Sequence, residues 1–120
     1  MPDLTLTVSA RPTGSCVLEV AGDLDLHTAS RLQHAVEDVT LGSGLVIDLS
    51  GVTYCDSTGL TALITGYRRT QEAHTGFALS GVSRELARIF QIVGIDQIVS
   101  VYGSVDEAAT ALAELSGRPR

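Results

Sequence analysis

Four stretches of this chain place apolar residues at i, i+3, i+4 and i+7, with short β-type runs before and between them. The stripes are Leu32, Ala35, Val36, Val39; Leu60, Leu63, Ile64, Tyr67; Leu86, Ile89, Phe90, Val93; and Ala108, Ala111, Leu112, Leu115. That spacing makes one continuous apolar face on a helix. Ser83 and Ser104 stand where helix caps belong, Ser104 and Glu107 have the spacing of a capping box, and Gly42, Gly76, Gly94 and Gly117 follow closely enough to take a left-handed turn. Helices are therefore predicted near 28–41, 57–74, 83–93 and 104–115.

The runs around them read as five strands. Leu4, Leu6 and Val8 alternate with polar residues, Leu45 to Leu49 is almost continuously apolar, and Cys16 to Ala21, Phe77 to Ser80 and Ile98 to Tyr102 complete the set. Pro12 and Gly14 mark a turn between the first two, which makes them an antiparallel hairpin. The predicted fold class is α/β: a five-stranded mixed sheet, first strand antiparallel and the rest largely parallel, with four helices and right-handed crossovers. The length suits a single domain over residues 1–120, with an ordered core of about 3–115 and frayed ends.

Charge narrows the chemistry. The net charge is -6, and every one of the eight basic residues is arginine. A phosphate-binding P-loop and a Schiff-base enzyme both need a lysine, and a phosphoacceptor receiver domain is expected to carry one, so all three fall away. Scattered arginines on an acidic chain offer no footprint for nucleic acid or an anionic membrane. The paired Arg68 and Arg69 fall late on a predicted helix, where a solvated face explains them. With no apolar run of membrane-spanning length and no signal-like N-terminus, a soluble cytoplasmic protein is expected. Cys16 and Cys55 show no metal spacing and read as buried thiols.

Ligands of such sheets gather at the carboxyl ends of the strands, and two places there are acidic: Gly22-Asp23-Leu24-Asp25 and Asp56-Ser57. Asp23 and Asp25 point the same way in an extended segment, and with Asp56 they offer oxygens to a divalent ion, although turn and helix-entry chemistry accounts for them with fewer assumptions. Asp56 or Ser57 suits a helix cap. As a nucleophile, Ser57 has only half of a hydrolase elbow, since Gly59 is present but Cys55 occupies the other glycine position. His27, His34 and His74 supply neither a triad partner nor a metal set, and no G-x-G-x-x-G fingerprint follows a strand. No cofactor, no metal and no enzymatic activity are expected. A phosphate on Ser57 would add about -1.5 to -2 charges, with the helix amides donating to it and Asp56 repelling it.

The run Val46-Ile47-Asp48-Leu49-Ser50-Gly51-Val52-Thr53-Tyr54-Cys55-Asp56-Ser57-Thr58-Gly59-Leu60 resembles the signature of anti-sigma factor antagonists, the stand-alone bacterial form of the STAS domain. Gly22-Asp23-Leu24-Asp25 resembles that family's second signature, and the element order covers essentially the whole chain. The resemblance implies a protein that binds an anti-sigma factor when unphosphorylated and so releases a sigma factor. It implies as partners a serine kinase of the histidine-kinase-like ATPase fold and a serine phosphatase, with Ser57 as the phosphorylated residue. Asp23, Asp25 and Asp56 would flank it, and Thr58, Gly59 and Leu60 would begin the helix presented to the kinase. Thr61 departs from the glycine that many members carry, which bears on partner choice. The alternative is a STAS scaffold or regulatory subunit of a larger assembly without a phosphorylation cycle; a serine-nucleophile hydrolase stands third.

Overall fold

The computed structural model describes residues 3–116. Strands β1 (Leu4–Ala10), β2 (Cys16–Leu24), β3 (Gly44–Cys55), β4 (Gly76–Ser80) and β5 (Ser100–Tyr102) alternate with helices α1 (Ala29–Asp38), α2 (Ser57–Glu72), α3 (Arg84–Val93) and α4 (Val105–Ser116), and a 3-10 turn (Ile95–Gln97) follows α3. The strands form one sheet in the order β1-β2-β3-β4-β5, with β1 antiparallel to β2 and every other pair parallel. This is the mixed sheet with four helices that the sequence predicts.

Because the order is sequential, right-handed crossovers place α1, α2 and α3 on one face. Leu18, Val20, Leu45, Ile47, Leu49, Phe77 and Leu79 point to that face and pack with Leu32, Val36, Leu63 and Phe90 of the helices. Their neighbours along the strands, Val17, Val46 and Ala78, point the other way onto Ala108 and Leu112 of α4. A sheet whose order never reverses has no topological switch point, so no crevice opens between diverging crossovers. The carboxyl ends of β3 and β4 instead frame an open hollow of about 220 Å3, lined by the end of β3 and the start of α3.

Several boundaries differ from the sequence expectation. α1 stops at Asp38 because Val39 is already extended, and Gly42 makes its left-handed turn three residues later. After α2 the left-handed residue is His74 (φ 56°), not Gly76, which opens β4. Ile98 leaves the 3-10 turn rather than starting β5. Ser83 and Ser104 do cap: their hydroxyls accept from the Leu86 and Glu107 amides at 3.1 and 3.2 Å, and Gly94 ends α3 at φ 86°. The cap expected at Gly117 lies outside the described residues.

The largest difference is in β3. The expected strand ends at Leu49, yet the observed one continues to Cys55. Val52, Thr53 and Tyr54 are strand formers, and they keep pairing with β2 (Gly22 with Val52, Asp23 with Tyr54, Leu24 with Cys55) after β4 has ended opposite Asp48. Gly22-Asp23-Leu24 is thus strand, not turn. Seven residues beyond Asp48 at about 3.3 Å each carry the end of β3 roughly 23 Å past the last β4 pair. The ribbon shifts register twice, and Gly22 at φ 104° enables one shift: a side chain there would run into the Asp3 carbonyl.

Candidate functional site at the ribbon tip

At the tip of this ribbon, Asp56 turns the chain into α2. It is the N-cap, with extended backbone (φ -104°, ψ -171°), and its Oδ1 accepts from the Thr58 amide at 2.9 Å, the Gly59 amide at 3.2 Å and the Thr58 hydroxyl. These bonds satisfy amides that a helix start leaves without partners. They favour the ionised carboxylate, so the Asp56 pKa lies below its ordinary value: the Thr58 hydroxyl is the largest cause, the Gly59, Thr58 and Leu26 amides lower it further, and partial burial opposes them. The Asp56 amide in turn donates to the Leu24 carbonyl at 3.1 Å. The two acidic segments of the sequence are therefore tied together through Asp56.

Ser57 is the first residue of α2 and is exposed. Among the described residues its hydroxyl has no hydrogen-bond partner, whereas the adjacent Thr58 hydroxyl is committed to Asp56. Thr61 is exposed one turn on, with its hydroxyl donating to the Ser57 carbonyl at 3.0 Å. From the sequence, the free helix amides are expected to receive an incoming phosphate. The structure corrects this, because the Thr58 and Gly59 amides are already held by Asp56. A phosphate on Ser57 would stand in solvent beside a carboxylate.

Gly59 is buried, so it serves the site by seating the helix rather than by touching anything outside. A Cβ there would stand 2.7 Å from Leu24 Cγ and 2.8 Å from Cys55 Sγ, so only glycine lets α2 approach the ribbon this closely. Leu60, next along, is half-buried against the core. The Cys55 thiol beneath is pushed up to about 11, by burial first and then by the Asp56 carboxylate, which leaves it protonated at neutral pH.

Asp23 and Asp25 reach the same tip but do not pool their oxygens. Asp23 Oδ1 accepts from the Thr53 hydroxyl at 2.9 Å across the ribbon, while Asp25 Oδ1 accepts from the His27 and Thr28 amides at 2.9 and 3.2 Å and so shapes the turn into α1. Among the described residues no group of three or more His, Cys, Asp or Glu side chains gathers as a metal set. His27 and His34 are exposed at and on α1, and His74 lies beyond α2. No histidine hydrogen-bonds Ser57 among the described residues. No helix among them is long and apolar enough to cross a membrane.

Two residues at the tip escape the sequence reading. Leu26 is 70% exposed, with its amide directed to Asp56, and Tyr54 is 55% exposed at the end of β3. The available signal for Leu26 is an aliphatic residue inside an acidic loop, off every predicted stripe. The tip thus combines an unengaged hydroxyl, three carboxylates and two exposed apolar side chains on an open surface. Such a surface suits a macromolecular partner better than an enclosed small molecule.

The comparisons with known proteins bear on the family and fold of the chain. The family model described as "Mlab, STAS domain" matches residues 8–100. The anti-sigma-B factor antagonist of Listeria monocytogenes is 31% identical over 101 residues, covering 82% of this chain and 89% of that protein. The anti-sigma-F factor antagonist RsfB of Mycobacterium tuberculosis is 31% identical over 115 residues, covering 92% of each. A crystal structure of an anti-sigma factor antagonist from Mycobacterium paratuberculosis superposes with a TM-score of 0.83 at 31% identity, covering 92% of this chain and 94% of the other. With its fold, its ribbon-tip serine and these matches over most of its length, the chain belongs to the STAS-domain family of anti-sigma factor antagonists.

Proposed function

We propose that this protein is an anti-sigma factor antagonist whose ribbon tip binds an anti-sigma factor while Ser57 is unmodified, and so releases a sigma factor in the cytoplasm. The partner is a serine kinase of the histidine-kinase-like ATPase fold, which phosphorylates Ser57 and ends the interaction; a serine phosphatase restores it. ATP and magnesium belong to the kinase.

The observation that carries this reading is the contrast between two adjacent hydroxyls. Ser57 is exposed and unengaged, while Thr58 is bound to Asp56. A kinase reaching the start of α2 therefore meets Ser57. Since Asp56 already holds the Thr58 and Gly59 amides, a phosphate of about -1.5 to -2 charges adds to the field of Asp23, Asp25 and Asp56. It acts on the partner and leaves the fold in place. A coupling of ~1–3 kcal/mol changes partner affinity by roughly 5- to 150-fold, enough for a switch.

One reconstitution tests the reading. The protein is mixed with the histidine-kinase-like anti-sigma factors of its source organism and ATP-Mg, and any phosphate is located by mass spectrometry. Phosphate is expected on Ser57; no modification, or modification elsewhere, refutes the assignment. Ser57→Ala keeps partner binding and loses phosphorylation, and Ser57→Asp binds more weakly.

A further inference from the structure

Strand β1 leaves one long edge of the sheet open. It stands outermost in the strand order, its 7 residues pair with β2 without a break in register, and Thr5, Thr7, Val8, Ser9 and Ala10 are exposed. Open edges invite another strand, and proteins usually blunt them with charge, proline or a bulge. This one carries no such device: it reads Leu-Thr-Leu-Thr-Val-Ser-Ala, without charge, proline or glycine, in a chain of net charge -6. The backbone groups on the open side follow from the hairpin. The Arg11 amide donates to the Ser15 carbonyl at 2.9 Å, and antiparallel pairs alternate between bonded and unbonded, so in the continuous register Thr5, Thr7 and Ser9 exchange bonds with β2. Leu4, Leu6, Val8 and Ala10 therefore aim their amides and carbonyls outward. Leu4 conforms, since its amide donates to the Asp3 carboxylate at 2.8 Å.

The same strand matches itself in reverse. Turned about a two-fold axis through Thr7 and perpendicular to the sheet, Leu6 falls opposite Val8 of a second copy, Leu4 opposite Ala10, Thr5 opposite Ser9 and Thr7 opposite its own equivalent. Leu4 and Leu6 belong to the helix-covered face, so apolar side chains meet on that face and hydroxyls meet on the other. The flanking charges match too, with Asp3 opposite Arg11. The outward backbone groups belong to the residues this register sets face to face, Leu6 with Val8 and Leu4 with Ala10, as a bonded antiparallel pair requires. Roughly six new backbone bonds result, the Leu4 amide staying with Asp3. An axis through Leu6 or Val8 also aligns outward groups, but it shortens the ladder and moves Asp3 away from Arg11.

We propose that β1 pairs antiparallel with β1 of a second copy of this chain, in the register centred on Thr7, and joins two sheets into one with α1, α2 and α3 of both copies on the same face. The strand itself selects this partner: its edge holds no charge to repel another acidic chain, and Leu6 of each copy covers Val8 of the other, which is 56% exposed in the single chain. The two-fold axis reverses β2 and β3 together with β1, so the two ribbon tips leave the joint sheet at opposite ends and both Ser57 hydroxyls stay accessible. One edge strand makes an interface at the low end of the usual size range, so the dimer is reversible and separates on dilution.

Sedimentation of the full chain across the micromolar range tests the pairing, with monomer expected at the dilute end and dimer at the concentrated end. Thr7→Lys sets two cations face to face across the axis and is expected to raise the dissociation constant at least about tenfold, while its Tm in dilute solution stays near that of the wild type because Thr7 is exposed. Thr7→Cys reads the register. An unbonded antiparallel pair stands about 4.5 Å apart at Cα, within disulfide reach, so oxidised glutathione is expected to crosslink this variant to itself on a non-reducing gel. Thr5→Cys, about 14 Å from its own equivalent, is expected to stay uncrosslinked, as is the wild type with Cys16 buried and Cys55 half-buried. A chain that is monomeric throughout and whose Thr7→Cys variant does not crosslink overturns the proposal. So does a dimer that Thr7→Lys leaves intact, which assigns self-association to another face. Equal crosslinking of Thr5→Cys and Thr7→Cys overturns the register. A monomeric chain whose Thr7→Lys variant binds an anti-sigma factor more weakly than the wild type gives the edge to that partner and overturns the self-pairing.

Discussion

Replacing Gly59 by alanine puts a methyl group where the structure has no room for one. Built on the present backbone, the new Cβ stands 2.7 Å from Leu24 Cγ, 2.8 Å from Cys55 Sγ and 2.8 Å from the Leu24 carbonyl oxygen. Leu24 is fully buried and its carbonyl accepts from the Asp56 amide, so neither can yield without disturbing the cap. The helix must move off the ribbon. Overpacking of this kind costs about 1–3 kcal/mol, and alanine's better helix propensity returns at most about 1 kcal/mol. The net expectation is a loss of about 1–2 kcal/mol, or a fall in Tm of roughly 3–10 °C for a chain of this size. Thermal melts by circular dichroism, paired with urea titrations that should show an unchanged m value, measure it. A variant that melts at or above the wild-type temperature would show that propensity outweighs contact, and the close seat of α2 would be wrong.

Three other outcomes follow from the same geometry. Asp56 has a depressed pKa when folded, so its stabilising contribution is present above the ordinary carboxylate pKa of about 4 and is lost as pH falls through the lower folded value; Asp56→Asn should flatten that part of the stability-against-pH profile, and an unchanged profile refutes the cap's electrostatics. Cys55, its thiol raised to about 11, should resist iodoacetamide at pH 8 in the native protein and react promptly in urea; rapid native labelling located at Cys55 by mass spectrometry counters this. Arg69 Nη1 donates to the Val36 and Val39 carbonyls at 2.6 and 2.7 Å and closes the end of α1, so Arg69→Met should cost about 1–3 kcal/mol in urea unfolding, and a loss near zero would show those carbonyls to be satisfied by water.

The sequence by itself determined the alternation of strands and helices, the antiparallel first pair, the serine caps of α3 and α4, and the position of Ser57 at a helix mouth. These are local matters: apolar period, turn chemistry and capping act over a few residues. Tertiary structure decided which part of an apolar stripe is covered. Periodicity marks Leu60, Leu63, Ile64 and Tyr67 alike, but burial went to Leu63 and its small neighbours because Gly66 lets Phe77, Ile47 and Val36 come close, and the other three stayed at the margin. It also decided the length of β3, since Val52 to Cys55 are strand only because β2 continues beside them. Last, it decided how the two acidic segments meet: the Asp56 amide donates to the Leu24 carbonyl and the Thr53 hydroxyl donates to Asp23 across the ribbon, contacts between residues far apart in the chain that local capping and turn chemistry do not contain.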